Sequence, residues 1–247
     1  MIVIKSPLEL DAMRRVNRIT ARVRDELAAM VRPGITTLDL GNAAGELIRK
    51  HGGTSAFYGY HGFPGQICVS VNDEVVHGIP GKRVIRAGDI VSIDTGIRID
   101  GFIGDTAITV AVGEISAEQQ RLLEVTKASL MAGVAKAVVG NRLGDISHAI
   151  QTVVEAAGFS VVREFVGHGV GRDLHEDPQI PNFGKPGRGP VLKAGMTLAI
   201  EPMVNIGGAK VEILEDKWTV VTKDGTFSAH FEHTVAVGHT PEILTLP

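Results

Sequence analysis

Residues 90–107 read IVSIDTGIRIDGFIGDTA, two β-branched runs on either side of Asp100-Gly101. Asp-Gly between such runs is a two-residue hairpin signal. With those residues as the turn, Asp105 pairs with Gly96, and Asp94 shares the face of Gly96 because side chains alternate along a strand. Asp94 and Asp105 are then diagonal neighbours, roughly 7–8 Å apart at the backbone and closer at their tips. Like charges placed this way on a half-buried sheet repel, and loss of water adds to the cost. A bound cation removes both problems. The plainer alternative is two solvent-facing aspartates on an edge hairpin, so the rest of the chain must decide.

Before the hairpin, Ser6-Pro7-Leu8-Glu9 has the form of a capping box with proline at the first helical position. Apolar residues at helical spacing follow from Leu10 to Met30, and Pro33-Gly34 stops the helix. A second helix is expected from about Thr37 to His51, and a strand from Gln66 to Val71. After the hairpin, Ser116 to Gln119 is another capping box, opening a helix from about Ala117 to Val138. A fourth runs from about Gly144 to Ala157. Ser160–Val166, Met196–Met203, Trp218–Thr222 and Phe231–Val237 read as strands, with Gly/Pro-rich loops between them, notably Pro178 to Pro190.

The two stretches look like copies. Gly34 to Gly52 and Gly140 to Gly158 have equal spans, with Asp39 and Asp145 at matching places. His77-Gly78 matches His168-Gly169. Arg86-Ala87-Gly88 leads to Ile93-Asp94 over the same interval as Lys193-Ala194-Gly195 to Ile200-Glu201. The ordered set implies an internal duplication with an offset of about 106 residues. We therefore expect one catalytic domain over 1–247, made of two pseudo-symmetric halves of about 1–115 and 116–247. Two helices and antiparallel strands in each half, sharing one curved sheet with helices outside, make an α+β fold. Asp94 and Glu201 then face each other across a pseudo-twofold axis.

The candidate site follows from that placement. Asp94, Asp105, Glu201 and Glu232 lie in apolar, strand-like sequence, accompanied by His168 and His175. Taken singly, each acid is more often solvated or paired. Four converging on one sheet face, with no conspicuous Arg or Lys beside them, would be costly without a cation. Four carboxylates and one imidazole suit two divalent ions better than one, bridged roughly 3.5–4 Å apart around an acidified water. Oxygen-rich ligands with one nitrogen favour Mn, Fe(II), Co or Zn. A mononuclear two-His-one-carboxylate iron site leaves too many acids unexplained.

His77 and His175 stand in glycine-rich, loop-like sequence that can present side chains to a cleft. A catalytic hydrogen-bonding role is favoured for both over that of a satisfied loop histidine. Phe57 to Phe63 concentrates four aromatics, which with Cys68 and Trp218 can line an apolar pocket or simply pack beneath the second helix. Arg14, Arg15, Arg18, Arg22 and Arg24 read as a solvated helix face, with a contact to ribosomal RNA as the alternative.

Composition excludes several classes. The chain has 247 residues, 44% hydrophobic and 21% charged, an ordinary globular balance. A net charge of −3 gives no global attraction to nucleic acid or acidic membranes. The single cysteine, Cys68, rules out an intramolecular disulfide framework and a Cys-rich zinc site. No run approaches a membrane span, and the N-terminus lacks a signal-peptide core, so a cytoplasmic setting is expected.

At VNDEVVHGIPG (71–81), DIVSIDTG…DGFIGDTA (89–107), GHGVGRDLHEDPQIPN (167–182), TLAIEPM (197–203) and FEHTVAV (231–237), the sequence resembles type I methionine aminopeptidases. The resemblance covers almost the whole chain and implies the duplicated pita-bread fold of that family. It implies that Asp94 chelates one of two divalent metal ions, that Asp105 and Glu232 bridge both, and that His168 and Glu201 complete the other shell. Glu201 would also be the general base. His175 would hydrogen-bond the scissile carbonyl, and His77 would contact the peptide and help the leaving amine. The methionine pocket would come from Tyr60, Phe63, Cys68, His77 and Trp218. The implied substrates are nascent polypeptides beginning with Met and a small second residue; the implied state is a monomer. Phe57 and Leu174 depart from the residues common at their positions, which bears on the pocket's shape. The short interval from His175 to Glu201 leaves no room for the helical insertion of type II enzymes. Proline-specific aminopeptidases, prolidases and creatinase-like amidinohydrolases share the fold but generally carry an extra N-terminal domain. A metal-free binding module would be expected to lack some of the five ligands.

Overall fold

The structure is a computed structural model that describes residues 1–247. Its helices are α1 (Pro7–Met30), α2 (Thr37–Lys50), α3 (Ala117–Val134) and α4 (Leu143–Ala156). Local chemistry explains where they begin. Ser6 Oγ accepts from Glu9 N while the Glu9 carboxylate accepts from Ser6 N, and Ser116 with Gln119 repeats the arrangement. α1 ends at Met30, with Val31 already extended ahead of Pro33. α3 stops at Val134, four residues before the expected Val138, because the next backbone groups turn to the C-terminal segment: Val139 N donates to Gly238 O at 2.9 Å.

The hairpin forms with Asp100 and Gly101 both at positive φ, 52° and 77°, as a type I′ turn requires. Strand Ile90–Ile99 pairs antiparallel with Phe102–Ala111, with Gly96 opposite Asp105 and Asp94 opposite Ala107. Cys68–Val71 pairs along the other edge of Ile90–Ile99, setting Cys68 opposite Asp94. Alternation then divides the faces. Val91, Ile93 and Ile97 pack with Val23, Leu27, Leu40 and Ile48 of α1 and α2, while Asp94 turns to the other side, where it lines a cavity. α1 lies close against the hairpin at Gly104, where a Cβ would come within 3.0 Å of Asn17 Cα.

In the second half, the antiparallel order is Glu242–Ile243, His233–Ala236, Thr197–Ile200, Gly167–Gly169 and Glu176–Ile180. α3 and α4 cover this sheet through Leu122, Leu130, Ile146, Ile150 and Val154, which pack with Leu198, Ile200 and Val235. Two smaller sheets complete the molecule, and one of them pairs Glu74–Val76 with Val220–Thr222 across the halves.

Hydrogen bonding is divided into four sheets rather than running through one. At the seam between the two larger sheets, threonine hydroxyls replace much of the ladder. Glu232 N donates to Ala107 O at 2.9 Å, Thr106 Oγ1 to Glu232 O at 2.8 Å, and Thr234 Oγ1 to Asp105 O at 2.8 Å. These bonds bring Asp105 and Glu232 side by side.

Several strands are shorter than their apolar runs. Met196–Met203 is interrupted at Glu201-Pro202, because proline cannot donate to a ladder. Ser160–Val166 pairs only at Ser160–Val161, and Trp218–Thr222 only from Val220, since Trp218 N and Thr219 N donate to Asp216 Oδ1. Phe231–Val237 pairs over His233–Ala236, and Gln66–Val71 over Cys68–Val71. The loop expected from Pro178 begins instead inside strand Glu176–Ile180. Matched positions of the two halves take matched conformations: Gly34 and Gly140 have φ of 94° and 93°, Gly88 and Gly195 of 91° and 87°. The isolated bridges Thr36–Val84 and Arg142–Val191 also correspond.

Candidate metal centre

One cavity of about 160 Å³ gathers every site residue expected from the sequence. Asp94, Asp105, His168, Glu201 and Glu232 line its polar end. Tyr60, Phe63, Cys68, His77, His175 and Trp218 line the remainder, with Phe57 and Leu174 among them.

The polar end is assembled from strands of both halves. Asp105, His168 and Glu232 are buried, and one ligand atom from each lies within 4.8 Å of the others. His168 Nδ1 faces Gly169 O at 3.0 Å. A carbonyl can only accept, so Nδ1 carries the ring proton and Nε2 keeps a free lone pair. That Nε2 lies 3.4 Å from Glu201 Oε1 and 3.8 Å from Asp105 Oδ2. Glu201 turns inward where the strand breaks before Pro202, its carbonyl held by Asn182 Nδ2 at 3.2 Å.

The electrostatics suit a cation. Asp94 Oδ1, Asp105 Oδ1 and Glu232 Oε1 are buried without a hydrogen-bond partner. Burial pushes the Glu201 carboxyl up to about 8. Burial, and then Glu201, pushes Asp94 up to about 7, against the opposing influence of His230. Asp105 and Glu232 are raised well above the carboxylate range by burial first and neighbouring carboxylates second. His168 is lowered to about 3, chiefly by burial and then by His175, so its imidazole is neutral. Carboxyls raised by burial, orphaned oxygens and a bare imidazole nitrogen fit a divalent cation with oxygen-rich ligands. No Lys or Arg lines the cavity. Arg24 sits behind the sheet, donating to Thr106 Oγ1 at 2.7 Å and pairing with Asp25. It is buried, which corrects its placement on the solvated arginine face; Arg15, Arg18 and Arg22 do face solvent.

The apolar end is walled by edge-to-face rings, Phe63 with Trp218 at 5.1 Å and His77 with Phe165 at 5.5 Å. Burial, then His230 and His175, lowers His77 to about 4. Burial, then His61, also lowers His175. Burial above all, and then the nearby carboxylates, raise the Cys68 thiol well above its usual range, which disfavours the nucleophilic thiolate. Of the aromatic stretch, Phe57, Tyr60 and Phe63 reach the cavity and Tyr58 points to solvent. Phe57 lies over Gly96, where an added Cβ would sit 2.9 Å from Cδ1.

His230 is the polar neighbour that sequence reading passes over. It is buried, with Nε2 3.4 Å from Glu201 Oε2 and no hydrogen-bond partner. Its signal is the alternation His230, Glu232, Thr234, which puts it on the face of Glu232. No helix is long and apolar enough to cross a membrane.

Comparison with known proteins adds three findings. The family description "Metallopeptidase family M24" matches residues 11–239. Methionine aminopeptidase of Clostridium perfringens is 55% identical, covering 100% of this chain and 99% of that protein, and methionine aminopeptidase 1 of Bacillus subtilis is 56% identical over 99% of each. The crystal structure of methionine aminopeptidase from Thermotoga maritima superposes with a TM-score of 0.98 at 48% identity, covering 100% of both chains.

Proposed function

This chain belongs to metallopeptidase family M24, with the pita-bread fold, and on that premise we propose that it removes the N-terminal methionine from proteins and peptides by metal-assisted hydrolysis of the first peptide bond. The observation that carries this reading is four carboxyls, each raised by burial, that converge with a bare His168 Nε2 on the polar end of an aromatic-walled cavity. Asp94, Asp105, His168, Glu201 and Glu232 would hold two divalent ions, drawn from Co, Mn, Fe(II) or Zn. When bound, such ions polarise a carbonyl and acidify a water.

The chain's own residues supply the rest. Glu201 accepts the proton of the attacking water. His175 donates a hydrogen bond to the carbonyl oxygen as charge develops there. His77, held neutral by burial, contacts the peptide beside the scissile bond and helps the leaving amine. Phe63, Trp218, Cys68 and the Tyr60 ring wall the methionine side chain, and the apolar wall excludes water from it. A preference for a small second residue is what the family resemblance implies. The partners are nascent N-termini, met in the cytoplasm by a monomer, and Arg15, Arg18 and Arg22 are the cations a ribosomal contact would use. We also read the chain as one catalytic domain of two related halves, about 1–115 and 116–247, supported by the matched glycine conformations and bridges.

The test compares Met-Ala-Ser, Leu-Ala-Ser and N-acetyl-Met-Ala-Ser as substrates of the metal-loaded protein, with free amino acid measured. Methionine should appear only from the first peptide, and both Asp105→Asn and His175→Ala should suppress it. Equal cleavage of the acetylated peptide would contradict an aminopeptidase, and an unimpaired His175→Ala would remove the oxyanion role.

A further inference from the structure

Tyr60 makes a contact that a pocket wall does not require. Its hydroxyl lies 2.7 Å from His175 Nδ1, with ring centroids 5.3 Å apart. Tyr60 comes from the first half of the chain and His175 from the second. On its other side the His175 ring meets His168 edge to face, centroids 4.3 Å apart.

The two histidines differ in what Nδ1 meets. His168 Nδ1 faces a carbonyl, which can only accept, so Nε2 is bare. His175 Nδ1 faces a hydroxyl, which can donate. A neutral imidazole carries one ring proton, so a donating hydroxyl at Nδ1 leaves that proton on Nε2. Adjacent histidines then have opposite tautomers, one suited to accept and one to donate.

The only hydrogen bond to the His175 ring comes from Tyr60. The backbone bearing His175 is already held: Glu176 pairs with the buried Lys5, and its Oε1 accepts from Arg172 N at 3.0 Å. These contacts hold the loop but do not reach the imidazole, and no backbone carbonyl takes its Nδ1. The Tyr60 loop is equally held, with Gly59 N donating to Phe63 O at 2.8 Å and Ser55 Oγ accepting from Phe57 N and Tyr58 N.

We propose that Tyr60 is a positioning residue for His175: its hydroxyl donates to Nδ1, holds the imidazole in the Nε2–H tautomer and aims that N–H at the scissile carbonyl oxygen. The inference rests on the aminopeptidase reading for its consequence, but the tautomer itself can be read without turnover.

The experiment uses Tyr60→Phe, which keeps the ring and removes the hydroxyl, in the zinc-loaded enzyme. The ¹⁵N shifts of His175, assigned with His175→Gln, should show wild-type Nδ1 unprotonated and hydrogen-bonded, and Nε2 protonated; the Nδ1 signal should lose its hydrogen-bond shift in the variant. On Met-Ala-Ser, kcat should fall about 10-fold, less than loss of a whole oxyanion donor costs, with KM within about twofold. Affinity for 3-(methylthio)propylamine, which fills the side-chain pocket but has no carbonyl, should stay unchanged. A protonated Nδ1 in the wild type, an unaltered kcat, or a loss confined to KM and amine affinity would overturn the proposal. Absence of methionine release by the wild type would instead sink the aminopeptidase reading, while the ¹⁵N shifts still decide the Tyr60–His175 bond.

Discussion

Replacing Glu201 by Gln should make the metal-free protein more stable while abolishing the activity of the metal-loaded protein. Burial raises the Glu201 carboxyl from 4.5 to about 8. Between those values the folded state holds a proton that the unfolded state has released, so stability falls as pH rises. The slope is about 1.4 kcal/mol per pH unit, which over three units, from pH 4.5 to about pH 7.5, amounts to about 4 kcal/mol. Gln has the shape of the protonated acid and does not titrate. Its amide can donate to the His168 Nε2 lone pair, which lies 3.4 Å from Glu201 Oε1. Part of the gain is shared with Asp94, whose raised carboxyl already includes the influence of Glu201, so we expect about 2–4 kcal/mol at neutral pH and none near pH 4.5. In a protein of this size that is roughly 5–10 °C in Tm. Chelated wild type and variant would be melted at several pH values from 5 to 8. A variant less stable throughout, or a difference that shrinks as pH rises, would refute the picture of a buried acid cluster awaiting cations.

Three other perturbations probe the frame around the site. Gly96→Ala forces a Cβ into the Phe57 ring and should cost about 1–3 kcal/mol in chemical denaturation; adding Phe57→Leu should recover most of it, whereas no such rescue exists for Gly104→Ala, which meets the backbone of Asn17. Lys5→Met leaves Glu176 buried without its cation and should cost about 3–5 kcal/mol, with hydrogen exchange rising first in the loop at 171–176. Trp218→Ala opens the wall beside Phe63 and should raise KM for Met-initiated peptides more than it lowers kcat.

The hairpin was legible because two independent signals agree: turn chemistry at Asp100-Gly101 sets the register, and alternation sets the face. The capping boxes were legible because each is closed within four residues. What could not be read depends on partners distant in sequence. In the apolar run through Glu201, Pro202 marks the break, but nothing there shows that Asn182 holds the Glu201 carbonyl. Nothing in the run Phe102–Ala111 shows that Thr106 and Thr109 bond the backbone at 230–232. Arg24 has the spacing of a surface charge, yet it is buried because Thr106 and Asp25 take its donors. His230 could be placed on the face of Glu232 but not against Glu201, which arrives from another strand. The residues expected to form the site do line one cavity, and the hydroxyl of Tyr60 was not distinguishable from its ring.

The most direct measurement follows methionine release from Met-Ala-Ser by chelated protein as Mn, Co, Fe(II) or Zn is added back in known ratio. A dinuclear centre predicts no release before addition, recovery with at least one of these ions, and saturation near two equivalents per chain. Undiminished release by the fully chelated protein, or none with any of the four ions, would contradict it.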